Sequence, residues 1–199
     1  MAADRPTIYF ASQRDWEAWL EQNHEDSPGV WIKMAKKASG IASLNHKEAL
    51  EEALCFGWID GQARSLDEQY TLRMFTPRRP RSTWSKINVG HIERLATEGR
   101  IRPAGQREVD AAKADGRWDA AYSSQATIEV PGDFARALES EPGALAFFSE
   151  PGALAFFDSL NKTARWPFLF RLTTIKKPET RARRIAQYVE LLAEGKTLH

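Results

Sequence analysis

The sequence predicts an α+β fold: a small antiparallel sheet packed with helices in the N-terminal part, and an all-helical C-terminal part. Three observations carry that expectation. Apolar residues alternate with period two in several short runs, and the last of these ends near Thr76. Helical spacing of apolar residues, bounded by cap residues and glycines, recurs along the chain. Beyond the short polar stretch Ser123–Glu129, which reads as a linker, only helical patterns remain. We therefore expect an α+β domain over residues 1–122 and a helical segment over residues 127–199.

Taken in order, Thr7–Phe10 is short and β-prone, and Ser12 with Asp15 makes an S-x-x-D helix start. Trp16, Trp19 and Leu20 continue that helix until Pro28-Gly29 breaks the pattern. Val30–Lys36 predicts a strand with Val30, Ile32 and Met34 on one face. Asn45 and Glu48 form a second N-cap pattern, and Gly57 is placed to end the helix that follows. Trp58–Arg64 and Gln69–Thr76 predict two strands joined by a polar turn. Trp84, Ile87, His91, Ile92 and Leu95 then recur as one helical face, and Pro103–Asp115 predicts a weaker helix. In the C-terminal part helices are expected around Asp133–Glu139, Ala144–Leu160, Thr163–Ile175 and Pro178–Ala193. Pro178 suits a first helical turn and Gly195 a stop.

Composition excludes several function classes. Of 199 residues, 42% are hydrophobic and 28% charged, as in ordinary globular proteins. The net charge of +1 implies no whole-molecule attraction to nucleic acid or to an anionic membrane. That balance hides local asymmetry, since residues 67–118 and 161–199 are net basic and 119–160 net acidic. No stretch approaches a membrane span, and MAADRPTIYF lacks the apolar run of a secretory signal, so a cytoplasmic location is expected. The lone Cys55 cannot form an internal disulfide and reads as a small buried hydrophobe. His24, His46, His91 and His199 are scattered without ligand spacing, so neither a metal nor another cofactor is expected.

Residues 141–149, EPGALAFFS, are followed at once by EPGALAFFD, identical at eight of nine positions. Nine residues rotate a helix by about two and a half turns, so one continuous helix would turn every later side chain to the opposite face. Pro151-Gly152 can instead start a fresh turn. We expect the extra copy to form its own short helix or a bulged loop, with no functional weight.

The most informative stretch is LCFGWIDGQARSLDEQYTLRMFTPRRPRSTWSKIN, residues 54–88. From Arg73 to Lys86 it carries positive charge without an acid, concentrated in Arg78, Arg79, Arg81 and Lys86. Guanidinium groups make bidentate bonds to phosphate or carboxylate, and the prolines limit the loop's freedom before binding. Ser82 or Ser85 can cap the next helix, with Trp84 and Asn88 beside them. Two readings stay open: a site for an anionic ligand, or a loop whose arginines pair with Asp60, Asp67 or Glu68. Period two places Trp58, Asp60, Gln62 and Arg64 on one strand face, where Asp60 would need a cation from the arginine loop. A denser basic cluster, Lys176 to Arg184, puts Arg181 near the buried face of its helix. A salt-bridged helix is its commoner reading, and nucleic-acid binding its rival.

Together these blocks resemble a known family. The pattern GVW-I…EAL-x-x-ALCFGWIDGQ…FTPRRPRSTWSKIN, then A-x-x-DGRWDAAY, resembles the bacterial YdeI/OmpD-associated family across nearly the whole chain. VPGDFARAL…FF-x-x-L…KKPETRARRI looks like its bacteriocin-protection, OmdA-like segment. The resemblance implies protection against bacteriocins or cationic antimicrobial peptides and supplies no catalytic residues. We expect a non-enzymatic binding or stress-protection protein whose partner is a small anionic ligand or an acidic protein surface. Its expected ligand-binding residues are Trp58, Asp60, Gln62, Arg78, Arg79, Arg81, Ser82, Trp84, Ser85, Lys86, Asn88 and Arg181. The alternatives are a small enzyme acting on an anionic substrate near Trp58–Gln62, and a nucleic-acid-binding protein. Oligomeric state is open.

Overall fold

The computed structural model describes residues 5–140 and 152–198. It divides into two compact units, Met1–Ala121 and Tyr122–His199. The first is α+β and the second is built of helices, as expected.

In the first unit β1 (Thr7–Tyr9) leads through α1 (Gln13–Asn23) to β2 (Val30–Ala35). A short 3-10 turn precedes α2 (His46–Cys55), which is followed by β3 (Trp58–Ser65) and β4 (Tyr70–Pro77). Two further helices, α3 (Lys86–Thr97) and α4 (Pro103–Ala114), complete it. The strands form one sheet in the order β1-β2-β4-β3. The sheet is mixed, not wholly antiparallel: β2, β4 and β3 pair antiparallel, while β1 runs parallel to β2. A parallel neighbour needs a crossover, and α1 supplies it.

Local signals set most boundaries. Ser12 and Asp15 form a reciprocal capping box on α1, and Asn45 and Glu48 do the same on α2. Such caps satisfy end amides that would otherwise lack partners. Gly57, at φ 74, takes the left-handed turn that ends α2 without the steric cost a Cβ would bring. The core lies between one sheet face and the helices, where Trp16, Leu20, Val30, Ile32, Trp58 and Phe75 are fully enclosed. Each such side chain contributes roughly 1.5–3 kcal/mol by leaving water. Along β2 the predicted alternation is seen, with Val30, Ile32 and Met34 buried. The expected face of α3 is corrected at one end. That helix starts only at Lys86, so Trp84 precedes it, and Ile87 in the first turn is 54% exposed.

Two carboxylates of α2, Glu51 and Glu52, are buried and neutralised by the α3–α4 region. Arg94 meets Glu51 at 2.7 Å, and Arg100 pairs with Glu52, which also accepts from Gln13 at 2.6 Å. Cys55, on the same helix, has its thiol pushed up to about 12, chiefly by burial, so it stays a neutral thiol. Glycine at 105 lets α4 approach the end of α2: a Cβ there would lie 2.9 Å from the Leu54 carbonyl oxygen and closer still to that of Cys55.

The second unit contains α5 (Gly132–Ser140), α6 (Ala153–Ser159), α7 (Lys162–Thr173) and α8 (Pro178–Ala193). Phe134, Phe157, Phe168 and Tyr188 meet edge-to-face in its core. Of the helix expected over Ala144–Leu160, only the part belonging to the second repeat copy is seen, starting at Ala153 behind Gly152. The first copy lies outside the described residues. Among the described residues no helix is long and apolar enough to cross a membrane.

Candidate functional site: a braced arginine loop

The loop from Arg78 to Ser85 leaves the sheet where the Arg78 amide donates to the Gly57 carbonyl at 3.0 Å. Arg78 itself turns inward and is only 6% exposed. Its guanidinium lies 3.5 Å from the ring centroid of Trp84 and donates to the Ser82 hydroxyl at 3.3 Å and the Thr83 carbonyl at 3.4 Å. Trp84 is buried and tilted against Trp118, with ring centroids 5.0 Å apart. Arg117 completes the brace by donating to the Ser82 carbonyl at 2.9 Å while holding both oxygens of Asp115 at 2.8 and 2.7 Å.

On this base sits a tight turn. The Ser82 amide donates to the Arg79 carbonyl at 3.1 Å, with Pro80 and Arg81 between them. Positive φ at the third position is what a type II turn requires, and proline at the second is common there. Arg81 has φ 64, and it is the only residue other than glycine with positive φ among those described. A side chain there costs about 1–2 kcal/mol relative to the right-handed region. Arg79, Arg81 and Lys86 are exposed and form no ion pair with the described residues. Asp115, the nearby acid, is already taken by Arg117, whose hydrogen bond holds its carboxyl below the usual range, with a smaller push from the charge of Arg81. Ser85 caps α3 by accepting from the Asn88 amide at 3.1 Å, and the half-buried Asn88 side chain sits one turn in.

The remaining expected residues lie elsewhere. Trp58 is a core residue whose ring nitrogen donates to the His24 carbonyl at 3.1 Å. Asp60 is not clamped by the loop arginines. It accepts from His46 at 2.9 Å and from Arg73, its neighbour across the sheet, at 3.2 Å. Burial alone would raise its pKa, but the His46 hydrogen bond and charge, helped by Arg73, hold it below the ordinary value. Trp58, Asp60, Gln62 and Arg64 do not share a face. A bulge between Asp60 and Ala63 slips the pairing, so Arg64 aligns with Leu72 and stacks on Trp31 at 4.4 Å, on the side of the sheet away from Trp58. Gln62 sits exposed in that bulge. Arg181, in the second unit, is held by both oxygens of Asp133 at 2.6 and 2.9 Å, so its charge is met internally. A cleft of about 310 Å³ beside the loop is lined by His24, Gly57, Trp58, Pro77, Arg78 and Arg107, and takes in neither Asp60 nor Trp84.

Sequence reasoning missed the brace. Arg117 and Trp118 stood in the quoted motif DGRWDAAY, and Gly57 in CFGWIDG, yet nothing local shows that these motifs meet the arginine loop in space.

With the geometry in place, family comparison adds two matches. Residues 8–108, just over half of the chain, match the family described as Domain of unknown function (DUF8412). The chain belongs to that family. Residues 149–195 match the family described as Bacteriocin-protection, YdeI or OmpD-Associated (OmdA). The YdeI/OmpD-associated likeness is thus supported for this part of the chain and not for its whole length, and it begins at Ser149, one residue before the second repeat copy. The chain matches no curated protein and no solved structure.

Proposed function

We propose that the first unit of this DUF8412-family protein is an anion-binding module and that the protein works by binding, not by catalysis. The observation that carries the proposal is the exposed set Arg79, Arg81 and Lys86, without an ion pair among the described residues, on a turn held from beneath by Arg78, Trp84 and Arg117. Three features support it. The brace fixes the cations before a ligand arrives, which lowers the entropy lost on binding. The turn tolerates an arginine in the left-handed region, where glycine would be relaxed, and such outliers concentrate at ligand clamps. The amides opening α3 add donors beside the same cations. A phosphate-bearing metabolite or a cluster of carboxylates on an acidic protein suits this surface. The second family match, to Bacteriocin-protection, YdeI or OmpD-Associated, supports a role in protection against bacteriocins or similar peptides, with the anion site holding an acidic partner.

Thermal-shift titration with inorganic phosphate, a nucleoside triphosphate and an oligoglutamate tests this. Binding to the folded state alone stabilises by about 2.7 kcal/mol at a hundredfold excess over Kd. We expect at least one of these anions to raise Tm in the wild type and to do so much less in Arg79→Ala/Arg81→Ala. No shift with any of them retires the proposal.

A further inference from the structure

The sheet of the first unit has a second face, opposite the helices. Strand alternation and register place Tyr9, Trp31, Lys33, Tyr70 and Arg64 there, around Leu72. None of these residues belongs to the core cluster beneath the helices. Three aromatic rings thus share a surface with two cations in direct contact with them. The Arg64 guanidinium lies 4.4 Å from the Trp31 ring centroid, and Lys33 Nζ lies 3.8 Å from that of Tyr70. Tyr9 packs edge-on against Tyr70 at 6.4 Å, is 41% exposed, and has its hydroxyl tied to the Ala42 carbonyl. No residue that the register assigns to this face is acidic. The nearest acids in sequence, Asp67 and Glu68, belong to the β3–β4 turn, where Asp67 is engaged by the amides of Gln69 and Tyr70.

We infer that this face binds single-stranded nucleic acid. The chemistry asks for two things at once, a negative occupant to answer Lys33 and Arg64 and flat π-surfaces to answer Tyr9, Trp31 and Tyr70. Unpaired nucleotides supply both, with bases stacking on exposed rings or on a guanidinium plane and phosphates meeting the cations. The Arg64 guanidinium lies over Trp31, and Arg64 is itself exposed. A duplex hides its base faces and offers charge alone. The near-neutral total charge argued against nucleic acid from sequence, but it averages over both units and cannot show a local face without acids.

The test is fluorescence anisotropy of labelled oligothymidylate and oligouridylate of about 15 nucleotides, against a duplex of equal length, at low salt. We expect the single strands to bind at least tenfold more tightly than the duplex, with a log–log salt slope of about −1.5 to −2, as two or three phosphate contacts give. Trp31→Ala and the surface variant Arg64→Glu should each weaken binding about tenfold or more, and Arg64→Glu should keep the wild-type melting temperature. Arg79→Ala/Arg81→Ala should keep the preference for single strand over duplex, because the rings that make it lie on the sheet face and not on the loop. No single-strand binding overturns the inference, as does equal binding of duplex, or a loss confined to the loop variant. Displacement of the oligonucleotide by oligoglutamate at equal charge concentration also overturns it, because charge alone would then explain the binding.

Discussion

Arg78 and Trp84 form a buried cation–π pair at 3.5 Å, and through it a residue of an arginine-rich loop becomes part of that loop's foundation. Arg78 is therefore bracing, and the exposed cations of the loop are Arg79, Arg81 and Lys86. Replacing Arg78 by leucine removes the stacking and the bonds to Ser82 and Thr83. Urea unfolding should show a loss of about 2–3 kcal/mol, and Arg78→Lys should recover little of it because an ammonium lacks the planar fork. A loss within about 0.5 kcal/mol, typical of surface changes, would show that the pair does not hold the loop.

Arg81 lets stability be tested apart from the proposed anion binding. With φ 64 it occupies backbone space that glycine enters freely. Arg81→Gly should raise stability by about 0.5–1 kcal/mol, the relieved strain exceeding the added freedom of the unfolded chain. The same variant should bind anions more weakly. A variant that is both less stable and equally competent to bind would contradict the assignment.

At Gly105 there is no room for a side chain. A Cβ would press on the carbonyl oxygens of Leu54 and Cys55, backbone atoms that cannot swing aside. Gly105→Ala should cost about 2 kcal/mol or more by forcing α4 away from α2. An unchanged melting temperature would show that the two helices are not held at this distance.

Asp60 should make stability depend on pH in the acid range. Its folded pKa lies below the ordinary value, so the ionised carboxylate favours the folded state. That contribution is complete above the ordinary carboxylate range of about pH 4 and is lost as pH falls through the folded value. Asp60→Asn should be less stable than wild type by about 1–2 kcal/mol at neutral pH, and the gap should narrow as pH falls below about 4. A gap that stays constant with pH would mean that ionisation is not what matters.

Elements with dense local signals were legible in the sequence. Ser12 with Asp15, Asn45 with Glu48, the alternation of Val30, Ile32 and Met34, and Pro178 with Gly195 each mark their element by short-range chemistry. The parallel run of β1 beside β2 was not legible, because strand direction is settled by where a crossover returns and not by the strand's own residues. Nor was the bulge after Asp60, since one extra residue leaves the period-two pattern intact on paper while moving Arg64 to the other face. The loop's charge was visible as a run of arginines. Its division into one buried arginine and two displayed ones depends on Arg117, 35 residues from Ser82, and on Trp118.

The most direct measurement is isothermal titration of the wild type and of Arg79→Ala/Arg81→Ala with inorganic pyrophosphate, a small probe that bridging guanidinium groups hold well. We predict saturable binding to the wild type, a loss of about tenfold or more in the double variant, and unfolding curves that coincide. Equal affinity in the two proteins, or no heat in either, would contradict the claim that the braced turn displays its cations for an outside anion.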